Sequence, residues 1–334
     1  MISLGIESTA HTIGIGIIDE NGGILADERD MMKTKEGSGF IPRELFEHHQ
    51  KIAVDLLKKA IDKAEITIRD VDVISFSQGM GIPNALRVGA SLARYLAIKY
   101  KKPLVGVNHG VAHIEIGRLL TKTKDPVVVY ISGGNTQIIT YVDGRYRILG
   151  ETEDIPLGNA LDELARFLNY PMPGGPKIEE LAKKGKYVDF PYVVKGSNVS
   201  FSGLVTHAKR LIKKGFKVED VCFSFQETAF AMLVEVTERV LAHTEKNEVL
   251  VVGGVARNKR LQEMFRIMCK ERGARFEIVP FKYAGDNGVM IAWTGLLSYK
   301  HGIITKMDES KILQKWRIDE VEVPWMKSRS IHLR

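Results

Sequence analysis

The sequence predicts an α/β fold made of two duplicated lobes around a nucleotide-binding cleft. Strand-like apolar segments alternate with helix-like segments over 334 residues, a length sufficient for two lobes that each have a core. Residues 127–143 read as a strand, a glycine-rich turn and a second strand, and the chain opens with the same pattern. Alternating strands and helices imply sheets with parallel strands, and such sheets bind ligands at the carboxyl ends of their strands.

The turn of the hairpin VVVYISGGNTQIITYVD contains two adjacent glycines. With no side chains in the way, the backbone N–H groups of Ser132, Gly133 and Gly134 can converge on an anion, which predicts a phosphate cradle. An ordinary hairpin is the alternative for a single turn of this kind. A constant shift of 124 residues, from Ser8 to Ser132, aligns the two hairpins without a gap and indicates an internal duplication.

Two such hairpins facing each other across a cleft would hold the phosphates of one nucleotide. This pattern resembles the actin, heat-shock ATPase and sugar-kinase superfamily, whose two lobes are ribonuclease-H-like. The resemblance implies an N-terminal lobe at residues 1–123 and a C-terminal lobe at residues 124–300, with a helical insertion at about 151–220. We expect the last segment, at about 300–334, to pack back against the first lobe.

Spacing of apolar residues and glycine or proline punctuation predict the remaining elements. In chain order they are a helix at 43–64, a strand at 71–77, a helix at 85–100, a strand at 104–107, a long helix at 223–244, a strand at 248–252 and a basic helix from Asn258. His48 and His49 are neighbours on the first helix, so they point about 100° apart and do not easily bind one ion. We interpret them as surface residues.

The formal net charge of +7 and the pI near 9.1 point weakly towards an acidic partner such as nucleic acid. Charge alone does not establish RNA binding, because no RNA-binding motif with stacking aromatic residues is recognisable. No stretch approaches a charge-free transmembrane helix, so we expect a cytoplasmic protein without membrane contact. The two cysteines, Cys222 and Cys269, are predicted to be buried free thiols.

A pair of histidines follows the strand at 104–107. Asn108 is a good N-cap, which puts His109 and His113 at i and i+4 on one helical face, where both could bind one metal ion. Zinc proteases with H-E-x-x-H place a glutamate after the first histidine; Gly110 stands there instead, which disfavours peptide hydrolysis. Asp286 is the best candidate for an oxygen ligand, and a helix-capping role is its alternative.

Seven motifs spread over nearly the whole chain resemble one family. They are GIESTAHTIGIGI, NHGVAHIE, YISGGNTQ, PGGPK, SFSGL, SFQETAF and VGGVARN. Together they are similar to the universal tRNA N6-adenosine threonylcarbamoyltransferase family, formerly called O-sialoglycoprotein endopeptidases. The form NHGVAHIE resembles the archaeal and eukaryotic branch, the catalytic subunit of the KEOPS complex.

The resemblance implies a site with one divalent metal ion, iron or zinc, bound by His109, His113 and Asp286, with Tyr130 reaching it. It also implies that an adenine nucleotide or threonylcarbamoyl-AMP binds in the cleft. The implied contacts are Tyr130, Ile131, Ser132, Gly133, Gly134, Asp162, Gly175, Glu179 and Asn258. Asp162 and Glu179 would accept hydrogen bonds from ribose hydroxyls, and Asn258 would meet the adenine edge.

The implied reaction transfers a threonylcarbamoyl group from threonylcarbamoyl-AMP to N6 of the adenosine 3′ to the anticodon and releases AMP. Implied partners are tRNA, an adenylate-forming enzyme, and KEOPS subunits that include a small atypical protein kinase and a small dimerising protein. A small-molecule kinase of the same fold is one alternative, although Glu7-Ser8 stands where phosphoryl-transferring relatives usually carry D-x-G. A nucleotide-gated scaffold subunit is another.

Overall fold

Two five-stranded mixed sheets form the framework of the protein, in a computed structural model that describes residues 1–32 and 41–326. The first sheet contains β1 (Ile2–Glu7), β2 (Thr12–Asp19), β3 (Ile24–Met31), β4 (Val73–Gly79) and β5 (Leu104–Asn108), in the order β3-β2-β1-β4-β5. Strand β1 is antiparallel to β2 and parallel to β4, and β4 is parallel to β5. The carboxyl ends of β1, β4 and β5 therefore meet at one edge.

The second sheet repeats this arrangement. The remaining strands are β6 (Val127–Ile131), β7 (Thr136–Val142), β8 (Arg145–Glu151), β9 (Val194–Lys195), β10 (Asn198–Val199), β11 (Glu248–Val252) and β12 (Arg275–Ile278). Strands β9 and β10 pair with each other, and the other five strands form the second sheet in the order β12-β11-β6-β7-β8. Neighbouring strands in this sheet have the same relative directions as in the first sheet. The second strands begin at Thr12 and Thr136, in agreement with the predicted shift of 124 residues. The predicted duplicated α/β fold is confirmed.

Helices surround the two sheets. They are α1 (Pro42–Lys63), α2 (Pro83–Tyr100), α3 (His109–Thr121), α4 (Leu157–Phe167), α5 (Gly175–Ala182), α6 (Ser202–Lys213), α7 (Val218–Thr244), α8 (Lys259–Glu271) and α9 (Gly288–Lys300). The cysteines lie buried and unpaired on α7 and α8, as predicted. Within the described ranges, no helix is both long and apolar enough to cross a membrane.

Helix α9 packs directly on β1 and β2. An added Cβ on Gly5 would lie 2.2 Å from the backbone nitrogen of Ala292, and one on Gly16 would lie 2.1 Å from that of Val289. Helix α3 packs between the two sheets, because Ala112 joins a core with α9 whereas Val111 joins a core with β6 and β11. The division into residues 1–123 and 124–300 stays a prediction, and the packing of α9 favours grouping that helix with the first sheet.

The segment after α9 crosses both lobes. Thr305 N–H donates to Leu104 O at 2.8 Å and Leu313 N–H donates to Gln78 O at 2.7 Å, so residues 301–313 run beside β4 and β5. Val323 N–H then donates to Gly144 O at 2.8 Å, in the turn between β7 and β8. The expected return of the last segment to the first lobe thus applies to part of it, and residues 327–334 lie outside the described residues.

Substituting Gly16→Ala is expected to destabilise the protein by about 3 kcal/mol, because the new methyl group can be accommodated only if α9 moves off the sheet. Urea unfolding measures this change. The matched control is Gly203→Ala on α6, where the added Cβ has no described atom within 4 Å apart from its chain neighbours and the backbone of its own helix. That variant should be as stable as the wild type or slightly more stable. Equal stability of the two variants would contradict the packing described for α9.

Candidate metal centre

The candidate site begins where β5 becomes α3. Asn108 caps the helix: its side-chain oxygen accepts from the backbone N–H groups of Gly110 at 3.0 Å and Val111 at 3.1 Å. The predicted cap is confirmed, and its position fixes the first turn of α3. His109 and His113 consequently share one face, with ring centroids 4.6 Å apart and ring planes at 89°.

Asp286 faces both histidines. Its Oδ1 lies 3.5 Å from His109 Nε2 and 3.3 Å from His113 Nε2, and one ligand atom from each of the three residues falls within 4.8 Å of the others. The alternative capping role for Asp286 is wrong, because the side chain of Asn287 caps α9 by accepting from Met290 N–H at 2.9 Å. The aspartate is therefore available to the histidines.

The electrostatics of this group favour an ionised Asp286. Burial acts to raise its pKa, but the hydrogen bond with His113 and the positive field of both histidines hold the pKa well below its usual range. Burial lowers the pKa of His113, and neighbouring His109 lowers it further. Burial also opposes the charged form of His109, yet the carboxylates of Glu7 and Asp286 outweigh it and raise its pKa to about 9.

Glu7 is a part of the site that the sequence analysis did not assign. It is fully buried at the end of β1, and its Oε2 lies 3.1 Å from His109 Nδ1. Its Oε1 accepts from the backbone N–H of Thr9 at 2.6 Å and from the hydroxyl of Thr9. A carboxylate that accepts the Nδ1 proton fixes the imidazole tautomer and leaves Nε2 for a metal ion. The parallel strands β1, β4 and β5 could have indicated this contact, because their ends meet.

The three side chains fit a divalent transition metal. Two imidazole nitrogens and one carboxylate oxygen are a donor set typical of zinc and non-haem iron, and three protein ligands leave coordination positions open. Tyr130, at the end of β6, is fully buried, and its ring centroid lies 5.3 Å from that of His113. Burial raises the pKa of Tyr130, so its hydroxyl is protonated at neutral pH. Direct ligation by Tyr130 stays a prediction.

The predicted cradle of three free N–H groups is not found in the turn after Ile131. Ser132 N–H donates to Asn135 O at 2.8 Å, and Ser132 Oγ accepts from Gly134 N–H at 3.2 Å. The tight turn satisfies these two donors itself, which a pattern of glycines does not reveal. The space above the turn is nevertheless open, since an added Cβ on Gly133 or Gly134 has no described atom within 4 Å apart from its own chain neighbours.

Residues predicted to contact the nucleotide are joined in a second group. Asp162 on α4 accepts from Gly174 N–H at 2.6 Å, next to Gly175, and Glu179 on α5 accepts from Lys259 N–H at 2.9 Å. Asn258 caps α8, as predicted for the start of that helix: its side-chain oxygen accepts from Leu261 N–H at 3.0 Å. Its amide also donates to a glutamine of α7 at 3.0 Å. Half of the hydrogen-bonding capacity of its side chain is thus used within the protein, and its adenine contact stays a prediction.

His11, in the turn of the first hairpin, interacts electrostatically with one carboxylate of each group. Burial raises the pKa of Asp162 whereas His11 acts to lower it, and His11 also contributes to the low pKa of Asp286. Because His11 acts on both carboxylates, the turn between β1 and β2 lies within electrostatic range of both groups.

The interpretation of His49 as a surface residue is wrong. It is fully buried, and its Nε2–H donates to Ala10 O at 3.0 Å in the turn of the first hairpin. His48 is half-buried, lies 3.0 Å from His49 through their Nδ1 atoms, and contacts Asp30 at 2.9 Å through Nε2. Helical periodicity alone did not reveal that the hairpin turn covers this part of α1.

Comparison with known proteins identifies the family. The family model described as TsaD, tRNA N6-adenosine threonylcarbamoyltransferase, matches residues 23–293. A relative of that name from Archaeoglobus fulgidus is 57% identical over 326 residues, which cover 97% of this chain and 100% of the relative. This chain belongs to the tRNA N6-adenosine threonylcarbamoyltransferase family. It is therefore a transferase, and the resemblance seen in its motifs is confirmed.

Two further comparisons concern a longer relative and the fold. A Methanobrevibacter smithii protein named probable bifunctional tRNA threonylcarbamoyladenosine biosynthesis protein is 52% identical over the whole of this chain, which spans 62% of that relative. The crystal structure of HypF from Thermococcus kodakarensis matches 92% of this chain and 49% of its own with a TM-score of 0.67 at 16% identity. The latter similarity supports the actin-like fold alone.

We expect Glu7→Gln to weaken metal binding about 10- to 100-fold, because the neutral amide no longer holds the imidazole of His109 as a carboxylate does. Competition with a chromogenic chelator measures the affinity for Zn²⁺ without any substrate. The matched control is Glu115→Gln, a buried glutamate on α3 that pairs with Arg118 and Tyr146. Equal affinities of Glu7→Gln and the wild type would contradict the role of Glu7.

Acid is expected to destabilise the protein partly through His49. Burial lowers its pKa to about 4 from 6.5, so the unfolded chain binds an extra proton between these values. The contribution of His49 to stability is therefore present above pH 6.5 and is lost as the pH falls towards 4. The titratable groups facing it are His48, His11 and Asp30.

Urea unfolding of the wild type and of His49→Gln across this range should show a smaller loss of stability for the variant. Parallel pH dependences of the two proteins would show that His49 is not the titrating group.

Proposed function

We propose that this chain transfers the threonylcarbamoyl group of threonylcarbamoyl-AMP to N6 of the adenosine 3′ to the anticodon of tRNA, with release of AMP, in the cytoplasm. The observation that carries the proposal is the group of His109, His113 and Asp286 at the strand ends, in a chain that belongs to the threonylcarbamoyltransferase family. The donor is a mixed anhydride with a good leaving group, so orientation and polarisation suffice without a covalent protein intermediate.

Each residue of the site has a role in this proposal. An iron or zinc ion bound by His109, His113 and Asp286 would supply Lewis-acid polarisation of an oxygen of the transferred group. Glu7 orients the first histidine. The protonated hydroxyl of Tyr130 is a hydrogen-bond donor beside the same group. The open space above Gly133 and Gly134 admits the adenylate. On the second group, Asp162 and Glu179 each use one carboxylate oxygen for a backbone N–H, which leaves the other oxygen for ribose hydroxyls.

The alternative functions are less well supported by the geometry. A small-molecule kinase needs a carboxylate at the end of β1 for Mg²⁺-bound phosphates, whereas both oxygens of Glu7 are engaged by Thr9 and His109. A scaffold would not require the buried group of three potential ligands. A metalloprotease lacks its general base, since Gly110 follows the first histidine.

Partners extend the proposal beyond this chain. An adenylate-forming enzyme supplies the donor, and we propose KEOPS subunits, including a small atypical protein kinase and a small dimerising protein, as further partners. The bifunctional name of the longer relative from Methanobrevibacter smithii supports a second activity associated with this one in that protein.

Loss of one ligand should abolish the transfer. His109→Ala and Asp286→Asn are each expected to lower the rate at least about 100-fold while the fold is retained. This loss exceeds that expected for Glu7, which acts on the metal only through His109. The assay combines the protein, the adenylate-forming enzyme, threonine, bicarbonate, ATP and unmodified tRNA, with and without KEOPS subunits. Mass spectrometry of the modified nucleoside gives the rate. The control, His301→Ala at the exposed end of α9, should keep wild-type activity.

Wild-type product from His109→Ala after it has lost its metal would refute catalysis at this site and favour the scaffold. No product from the complete wild-type mixture, together with ATP-dependent phosphorylation of a small molecule, would instead favour the kinase.

A further inference from the structure

An exposed phenylalanine lies beside the candidate metal site. Phe281 is 70% exposed, the highest value among the large apolar side chains in residues 1–32 and 41–326. It is the first residue of a short 3-10 turn, Phe281–Tyr283, in the loop that leads from β12 to Asp286. With most of its surface in water, the ring has a face available for stacking on a ligand.

Arg257 holds this phenylalanine in place. Its guanidinium carbon lies 4.2 Å from the ring centroid of Phe281, and one terminal nitrogen donates to Phe281 O at 3.0 Å. Its Nε is buried and has no hydrogen-bond partner among the described residues, and Arg257 forms no salt bridge with a described carboxylate. The arginine therefore has a positive charge and a donor that the protein itself does not satisfy.

Two more cations lie close to this pair. Arg29 on β3 donates to Lys282 O at 2.6 Å and to Asp286 O at 3.3 Å, and it is near enough to act on the pKa of Arg257, which burial lowers. Asp27 pairs with Arg29 at 3.4 Å and with Lys282 at 3.5 Å. Asp27 thus pairs with two of the three cations, and Asp286, which is directed at the histidines, reaches Arg257 only through its field. The surface keeps a net positive charge.

We propose that Arg257, Phe281 and Lys282, together called the Phe281 lip, bind the anticodon loop of the tRNA substrate. Phe281 stacks on an unpaired base next to the target adenosine, and Arg257 and Lys282 contact neighbouring phosphates. An aromatic face with adjacent cations is what single-stranded RNA requires, since bases stack on the ring and the charges follow the backbone. The inference rests on the proposed function, because it assigns the substrate-binding surface of that same site.

The position of the lip agrees with this role. It belongs to the loop that presents Asp286, so a base stacked on Phe281 lies within a few nucleotides of the histidine group. A duplex would not expose base faces to the ring, whereas an anticodon loop offers several. Net positive charge at the lip complements the phosphates on either side of the target.

Binding of an unmodified anticodon stem-loop RNA tests the proposal without the donor. Fluorescence anisotropy with the full chain should show that Phe281→Ala weakens binding about tenfold, as expected for loss of one base stack. Phe281→Tyr keeps the stacking face and should bind as the wild type does. Phe216→Ala removes another exposed phenylalanine, in the turn between α6 and α7, and should leave affinity unchanged. Arg257→Gln should lower the slope of log affinity against log salt by about 1.

Kinetics and metal content complete the test. In the transfer assay, Phe281→Ala should raise the KM for tRNA and leave the KM for the donor unchanged, with metal content equal to that of the wild type. Wild-type RNA affinity of both Phe281→Ala and Arg257→Gln would overturn the proposal. Loss of metal from Arg257→Gln with unchanged RNA affinity would also overturn it and would assign Arg257 to support of the Asp286 loop. Failure of the proposed function gives a different result: the wild type then forms no product in the transfer assay, whatever the RNA affinities of the variants are.

Discussion

The close packing of α9 on β1 and β2 determines where the candidate site can form. Gly5 and Gly16 have no side chains, so the backbone of the helix rests directly on the sheet, and its first residue, Gly288, lies against Gly14. Asp286 precedes that fixed point by two residues. The helix that carries both histidines begins at the end of β5, on the same edge of the same sheet. The carboxylate and the imidazoles meet because strand ends and helix starts meet there.

Burial then decides the chemistry of the group. Glu7, His109, His113 and Asp286 are largely shielded from water, where an unpaired charge is costly. Without a metal ion, His109, whose pKa is raised, carries a proton between the carboxylates of Glu7 and Asp286, whereas the pKa of His113 is lowered. A divalent cation would take the place of the proton on His109 Nε2, while Glu7 keeps the proton on the other nitrogen of that ring. Either a proton or a metal ion can thus offset the charge of the same buried carboxylates, Glu7 and Asp286.

Local patterns in the sequence predicted the local features well. The duplicated hairpins, the Asn108 cap, the strand Glu248–Val252 and the start of α8 at Asn258 all follow from short-range residue preferences. Contacts between distant segments were not predictable in this way. Glu7 and His109 are about a hundred residues apart, the burial of His49 depends on a turn from another element, and the donors of Ser132 and Gly134 are satisfied by the geometry of one tight turn. The side chain that caps α9 could be assigned only once the helix start was known.

The most direct test of the account is a crystal structure of the protein loaded with Zn²⁺, with anomalous scattering recorded at the zinc edge. The account predicts one strong peak per chain, within coordination distance of His109 Nε2, His113 Nε2 and a carboxylate oxygen of Asp286, with Glu7 still bound to the far side of the first imidazole. A peak elsewhere, for example between His48 and Asp30, or no peak at the three predicted ligands, would contradict it.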